Sequence, residues 1–208
     1  MAAGDLVSLS AVKPWLNIAS GDTSKDTILA FLISSCSSVM EAWMGRDICQ
    51  ATYTENYDGT GTSRLMLNQK PITAVSSITI NGIVIPVVTD PLASGVMFDE
   101  NGLFLVGSIV PYYLPGNAAG SNVGANNVFN RGSQNVAVVY TAGYATVPMG
   151  LQQACIDFVG HKFAQRGRIG MKSDHIGVSA QGSAYDTDGI PDMVKAAMKP
   201  FKRWAPLS

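Results

Sequence analysis

Charge is scarce in this sequence. Only 14% of the 208 residues are Asp, Glu, Lys or Arg, while 47% are hydrophobic; ordinary soluble domains carry about 25% charged residues. A chain this poor in charge is expected to hide part of its surface in a partner, often a copy of itself. Fourteen basic and 15 acidic residues leave a net charge of -1, which excludes the basic footprint of wrapped nucleic acid and still allows DNA to pass loosely through a pore. Cysteine is equally sparse. Cys36, Cys49 and Cys155 form no CxxC pair, so neither a zinc knuckle nor a thioredoxin-like centre is supported. Cys36 and Cys155 lie among apolar residues and read as small buried thiols. The opening MAAGDLVSLSAVKPW lacks a basic start followed by an apolar run, so no signal peptide is expected. No stretch is expected to approach the ~20 apolar residues of a membrane span, and synthesis in a reducing cytoplasm follows.

What is present begins as helix. Leu9, Val12, Trp15 and Leu16 recur at helical spacing after Ser8 or Ser10, with Pro14 tolerable only near a first turn. Thr23 stands three residues before Asp26 in a capping-box-like arrangement. From there Ile28, Leu29, Leu32, Cys36, Val39, Met40 and Trp43 form one apolar stripe, with Gly45 as the stop.

The period then switches to two. Strands are expected at 52–57, 65–67, 75–80, 83–88, 96–98, 103–105 and 135–140. Asn81-Gly82 suits a two-residue hairpin because both residues tolerate positive φ. Pro115 to Gln134, rich in Gly, Asn, Ala and Ser, is long for a loop inside a compact domain and is expected to order against a neighbouring subunit or to remain a surface loop. Helix returns after Pro148, with Leu151, Cys155, Phe158, Val159 and Phe163 on one face. The Gly-rich Arg168 to Gly189 reads as loop, and a short helix from Asp192 to Lys199 ends at Pro200. The fold class is therefore α+β: a small helical bundle from the N- and C-terminal segments with an inserted antiparallel β unit. The expected divisions are 1–50, 51–146 and 147–208 within one composite domain.

Catalytic constellations are hard to find. His161 lies inside a helix beside Lys162, and Ser173-Asp174-His175 has triad residue types adjacent in a polar loop. A triad instead needs residues converging from separated rigid elements, and no GxSxG is present. A small hydrolase using His175 is the enzyme alternative. No metal motif occurs, and no cofactor is expected. Lys199, Phe201, Lys202, Arg203 and Trp204 cluster after the last acidic residue, Asp192. Basic residues suit a helix C-terminus, aromatic residues and Arg carry binding hot spots, and stacking with phosphate contacts would suit a nucleic acid.

Four ordered segments resemble the head–tail connector (head-completion or adaptor) proteins of long-tailed phages, in the long form with a β insertion. They are Leu6 to Leu9 with Val12-Lys13 and Trp15-Leu16; Ile28 to Arg46; Tyr53 to Gly59 with Leu65 to Leu67 and Lys70 to Ile72; and Val138 to Tyr144 with Val147-Pro148 and the following helix. The resemblance implies a non-enzymatic virion protein, made in the host cytoplasm. Its copies would form a ring in the neck, of twelve subunits, beneath the portal protein. The ring would extend the channel through which genomic DNA passes, without sequence-specific binding and away from any membrane, and would receive a stopper or tail-completion protein. Lys199, Phe201, Lys202, Arg203 and Trp204 would then be portal-docking residues. Another neck or tail ring component (a stopper, tail terminator or baseplate part) is the alternative within such a particle.

Overall fold

The computed structural model describes residues 4–106, 128–167 and 189–203, together with backbone pairing at 173–174 and 183–184. The chain divides into a helical unit, Met1–Cys49 with Thr146–Ser208, and a β unit, Gln50–Ala145.

In the helical unit, α1 (Leu9–Trp15), α2 (Asp26–Met44), α3 (Met149–Gln165) and α4 (Asp192–Met198) are held around α3. The inner face of α2 is Leu29, Ile33, Cys36, Ser37, Met40 and Met44. Ile28 and Val39, expected on that stripe, are exposed. Ser37 is buried because its hydroxyl accepts the Leu6 N–H at 3.0 Å and lies 3.7 Å from the Cys155 sulfur. On α3 the buried face is Leu151, Ala154, Cys155, Phe158 and Val159.

Local expectations for the first two helices need correction. Pro14 sits in the last turn of α1 rather than the first; its missing N–H gives up the bond that position would make to the Ser10 carbonyl, and the helix ends one residue later. Asp26 caps nothing in the expected box. Lys25 holds the N-cap position, and the Asp26 carboxylate pairs instead with the buried Lys13 ammonium at 2.7 Å. The carbonyls of Ser20 and Asp22 accept from the same ammonium at 3.3 and 3.0 Å, so the loop between α1 and α2 wraps a desolvated cation that needs every partner it has. By length and composition α2 would also satisfy a membrane span, contrary to the expectation that no stretch comes near one; its inner face packs within the helical unit.

The β unit contains two antiparallel sheets. The first has the order β1 (Ala51–Gly59), β7 (Gly132–Ala142), β3 (Ile72–Ile80), β4 (Ile83–Ile85); the second is β2 (Arg64–Met66), β6 (Gly102–Val106), β5 (Gly95–Phe98). Central β7 alternates buried Val136, Val138, Tyr140 and Ala142 with less buried neighbours, as the period-two pleat requires. Both sheets contribute to one core, which includes Leu65, Ile78, Ile85, Val96, Leu103 and Phe129. Phe129 is fully buried and Gly132 to Gln134 already belong to β7, so the end of the stretch read as a Gly-rich loop is core and strand. Asn81 and Gly82 take φ of 51° and 81°, the hairpin geometry expected of them.

Polar side chains fix the margins of the sheets. The Asn135 carbonyl accepts the Gly59 N–H at 2.8 Å, while its amide donates to the Asn130 carbonyl at 2.9 Å and to the Asn81 side chain at 3.1 Å. The Tyr57 and Tyr140 hydroxyls both donate to Oε2 of Glu55, and in turn accept the Asn68 and Gln69 N–H groups. One carboxylate thereby secures the turn between β2 and β3.

A candidate docking surface at the end of the helical unit

The C-terminal segment is positioned by α4. Pro191 precedes its first turn, Asp192 and Lys195 pair at 3.2 Å, and Val194 and Met198 are its buried anchors. The α-helix ends just before Pro200, as expected, at Met198 with Lys199 as its C-cap. A 3-10 turn, Lys199–Phe201, carries the chain one step further, because a proline early in a turn gives up an N–H that has no acceptor there.

Beyond that turn the segment meets the end of α2. Helix α2 finishes at Gly45, whose φ of 71° is the left-handed C-cap geometry, and the Gly45 N–H bonds to Glu41 at 2.8 Å. The last carbonyls of a helix lack intrahelical donors; here the Arg203 N–H supplies one to the Met44 carbonyl at 2.8 Å. Helix α2 carries no basic residue in its last turn. The Lys202 ammonium, 4.5 Å from the centre of the Trp43 ring, brings positive charge to that partially negative end. Nearby, Oε1 of Glu41 accepts the Ile48 N–H at 3.1 Å, and burial raises the Glu41 carboxyl above its ordinary pKa.

Of the five residues predicted to dock, Lys199, Lys202 and Arg203 are exposed and Phe201 is half-buried; Trp204 lies outside the described residues. Sequence reasoning missed Trp43 as the ring under Lys202, and missed α2 as the element on which the segment rests. The signal was the missing cation at the end of α2. The arrangement places the exposed Lys202 and Arg203 on a segment fixed by a main-chain bond to the end of α2, with Lys199 exposed just before them.

Elsewhere, an open apolar groove in the β unit is lined by Met97, Phe98, Phe104, Leu105 and Val106, with the Arg64 guanidinium over Phe104 and paired to Asp99 at 2.9 Å. Among the described residues no group of three or more His, Cys, Asp or Glu could hold a metal ion. His161 is half-buried on α3, and His175 lies outside the described residues.

A family model described as head completion protein matches residues 5–114, more than half of the chain. The match includes three of the four segments on which the sequence resemblance rested; the fourth, beginning at Val138, falls beyond it. No curated protein matches the chain. Among solved structures it is similar to a chain in the neck of an empty gene transfer agent particle, computed with C6 symmetry, at 14% identity and a TM-score of 0.57, covering 100% of this chain and 95% of that one. It is likewise similar to a chain in the virion of the native particle, at 13% identity, TM-score 0.54 and coverages of 100% and 95%. A third, in the neck of the native particle computed with C12 symmetry, gives 14%, 0.54, and coverages of 100% and 94%. At these identities the likeness is one of fold.

Proposed function

The chain belongs to the head completion protein family, and from that membership we propose that it is a non-catalytic structural component of the neck of a tailed phage or phage-like particle. The family match over residues 5–114 carries this reading. The likeness of the whole fold to chains from the neck and virion of gene transfer agent particles supports it. In this reading, copies assembled after synthesis in the host cytoplasm form an adaptor ring, twelve-membered as the resemblance implies, beneath the portal. The lumen extends the DNA channel and the far side receives the stopper or tail.

The work is association. A ring closes through heterologous contacts repeated at a fixed rotation. Lys199, Phe201, Lys202 and Arg203, with Trp204, dock onto the portal; exposed cations at such a rim steer encounter and set register more than they add affinity. A chain of net charge -1 has little with which to grip phosphate, as suits a conduit.

Electron microscopy of the purified protein, alone and mixed with portal-bearing heads that lack it, tests the reading. Rings, or added density beneath the portal, are expected. A monomer inert toward such heads would overturn the proposal.

A further inference from the structure

The geometry points to the outer face of α2, formed by Ile28, Phe31, Ser35, Val39 and Ala42, as the contact by which one copy of this chain packs against the next. This rests on the ring reading above and deepens it by naming a face.

The face follows from helical geometry. Ile28, Phe31, Ser35, Val39 and Ala42 lie about 150° around α2 from the centre of its buried face. Ile28 is 49%, Phe31 73% and Val39 41% exposed. Between Asp26 and Glu41 α2 carries no charged residue, and only 33% of its most apolar 18-residue window is buried. A helix that carries apolar side chains on opposite faces is ordinarily covered on both, and an exposed Phe31 flanked by Ile28 and Val39 has the composition of an interface core.

Two features favour protein over lipid as the cover. A helix lying on a membrane carries Lys or Arg along its polar side, whereas α2 has none. Ser34, Ser35, Ser37 and Ser38 also make a poor lipid face. The size of the face bears on the identity of that protein. One face of a 19-residue helix supplies the centre, not the whole, of the ~800 Å² each partner buries in a stable contact. The helical unit also exposes Trp15, Met149 and Met193 on its other helices, so one chain holds apolar surface for both halves of a head-to-tail contact, in which the two halves differ.

The experiment places a photo-crosslinking phenylalanine analogue at position 31 of the full chain and irradiates assembled necks. A ladder of covalent dimers and higher multimers is expected. In parallel, Phe31→Asp should keep the far-UV circular dichroism and melting temperature of the parent while its ring fraction in sedimentation falls at least ten-fold. Crosslinks from position 31 only to another neck protein, to a distant segment of the same chain or to added anionic vesicles would overturn the proposal. So would rings that persist in Phe31→Asp without self-crosslinking, which would leave the ring reading standing. Absence of rings from the unsubstituted chain, in necks and in solution, would overturn both.

Discussion

At the residue scale the largest losses fall on polar side chains that hold backbone, because removing one strands the groups it satisfied. Asn135 bonds Gly59, Asn130 and Asn81, so Asn135→Ala should cost about 3 kcal/mol, at about 1 kcal/mol for each bond lost. Urea unfolding checks this, and a loss below about 0.5 kcal/mol would refute it. The buried thiols give a second expectation. Burial pushes Cys36 up to about 12 and Cys155 up to about 11 from an ordinary 9.0, and pushes Tyr57 up to about 12 from 10.0. Groups whose folded pKa is raised bind more protons folded than unfolded. Their contribution is complete below the unfolded values and disappears as pH rises through the folded ones. The urea midpoint should therefore be level from pH 7 to 8.5 with respect to these groups, then fall between pH 9 and 12. An aromatic disulfide reagent at pH 8 should modify fewer thiols in the native chain than the three it finds in denaturant.

At the element scale two glycines mark where chain direction depends on a missing side chain. Gly45→Ala would place a Cβ in the left-handed region at the end of α2 and should cost about 1 kcal/mol in thermal melts. Gly102→Ala is harsher, since its Cβ would stand 2.4 Å from the Leu65 carbonyl. Disturbing the β2–β6 ladder there should lower the melting temperature more than Gly45→Ala does; the reverse order would contradict the geometry. Elements governed by neighbours in sequence were legible beforehand: the Asn81-Gly82 hairpin, the stop at Gly45, the alternation along β7. Features governed by distant partners were not. A helix as uniformly apolar as α2 admits several inner stripes, and its contacts with α1 and α3 select Ile33, Ser37 and Met44 over Ile28 and Val39. Nothing adjacent to Lys13 in sequence marks it as buried, because Asp26 and two loop carbonyls surround it only in the fold. Phe129 was masked by the loop-like composition beside it. The C-terminal cluster was recognisable as a group of residue types, but its seat on Trp43 and Met44, roughly 160 residues earlier in the sequence, had no local trace.

At the scale of the whole molecule, docking by exposed cations should depend on salt. Lys202→Glu together with Arg203→Glu leaves the main-chain bond to Met44 available, so the fold should persist. The melting temperature should be lowered by only about 2–4 °C, the cost of taking Lys202 from Trp43 and from the end of α2. The two substitutions should also weaken joining to portal-bearing heads about ten-fold or more in low salt, with the gap narrowing as ionic strength rises. Equal joining by the double variant would remove these residues from the docking role. The sheet carries a different implication. Ala51 pairs with Ala142, and the Gln50 N–H reaches the Tyr144 carbonyl at 3.2 Å, so the strand that enters the β unit and the strand that leaves it run side by side. A segment whose two ends meet can be lengthened, shortened or exchanged by recombination while the flanking helices need bridge only a few ångströms. The β unit is thus built as a cassette, and joining residues 49 and 146 through a few glycines should yield a helical remainder on which other insertions can be tried.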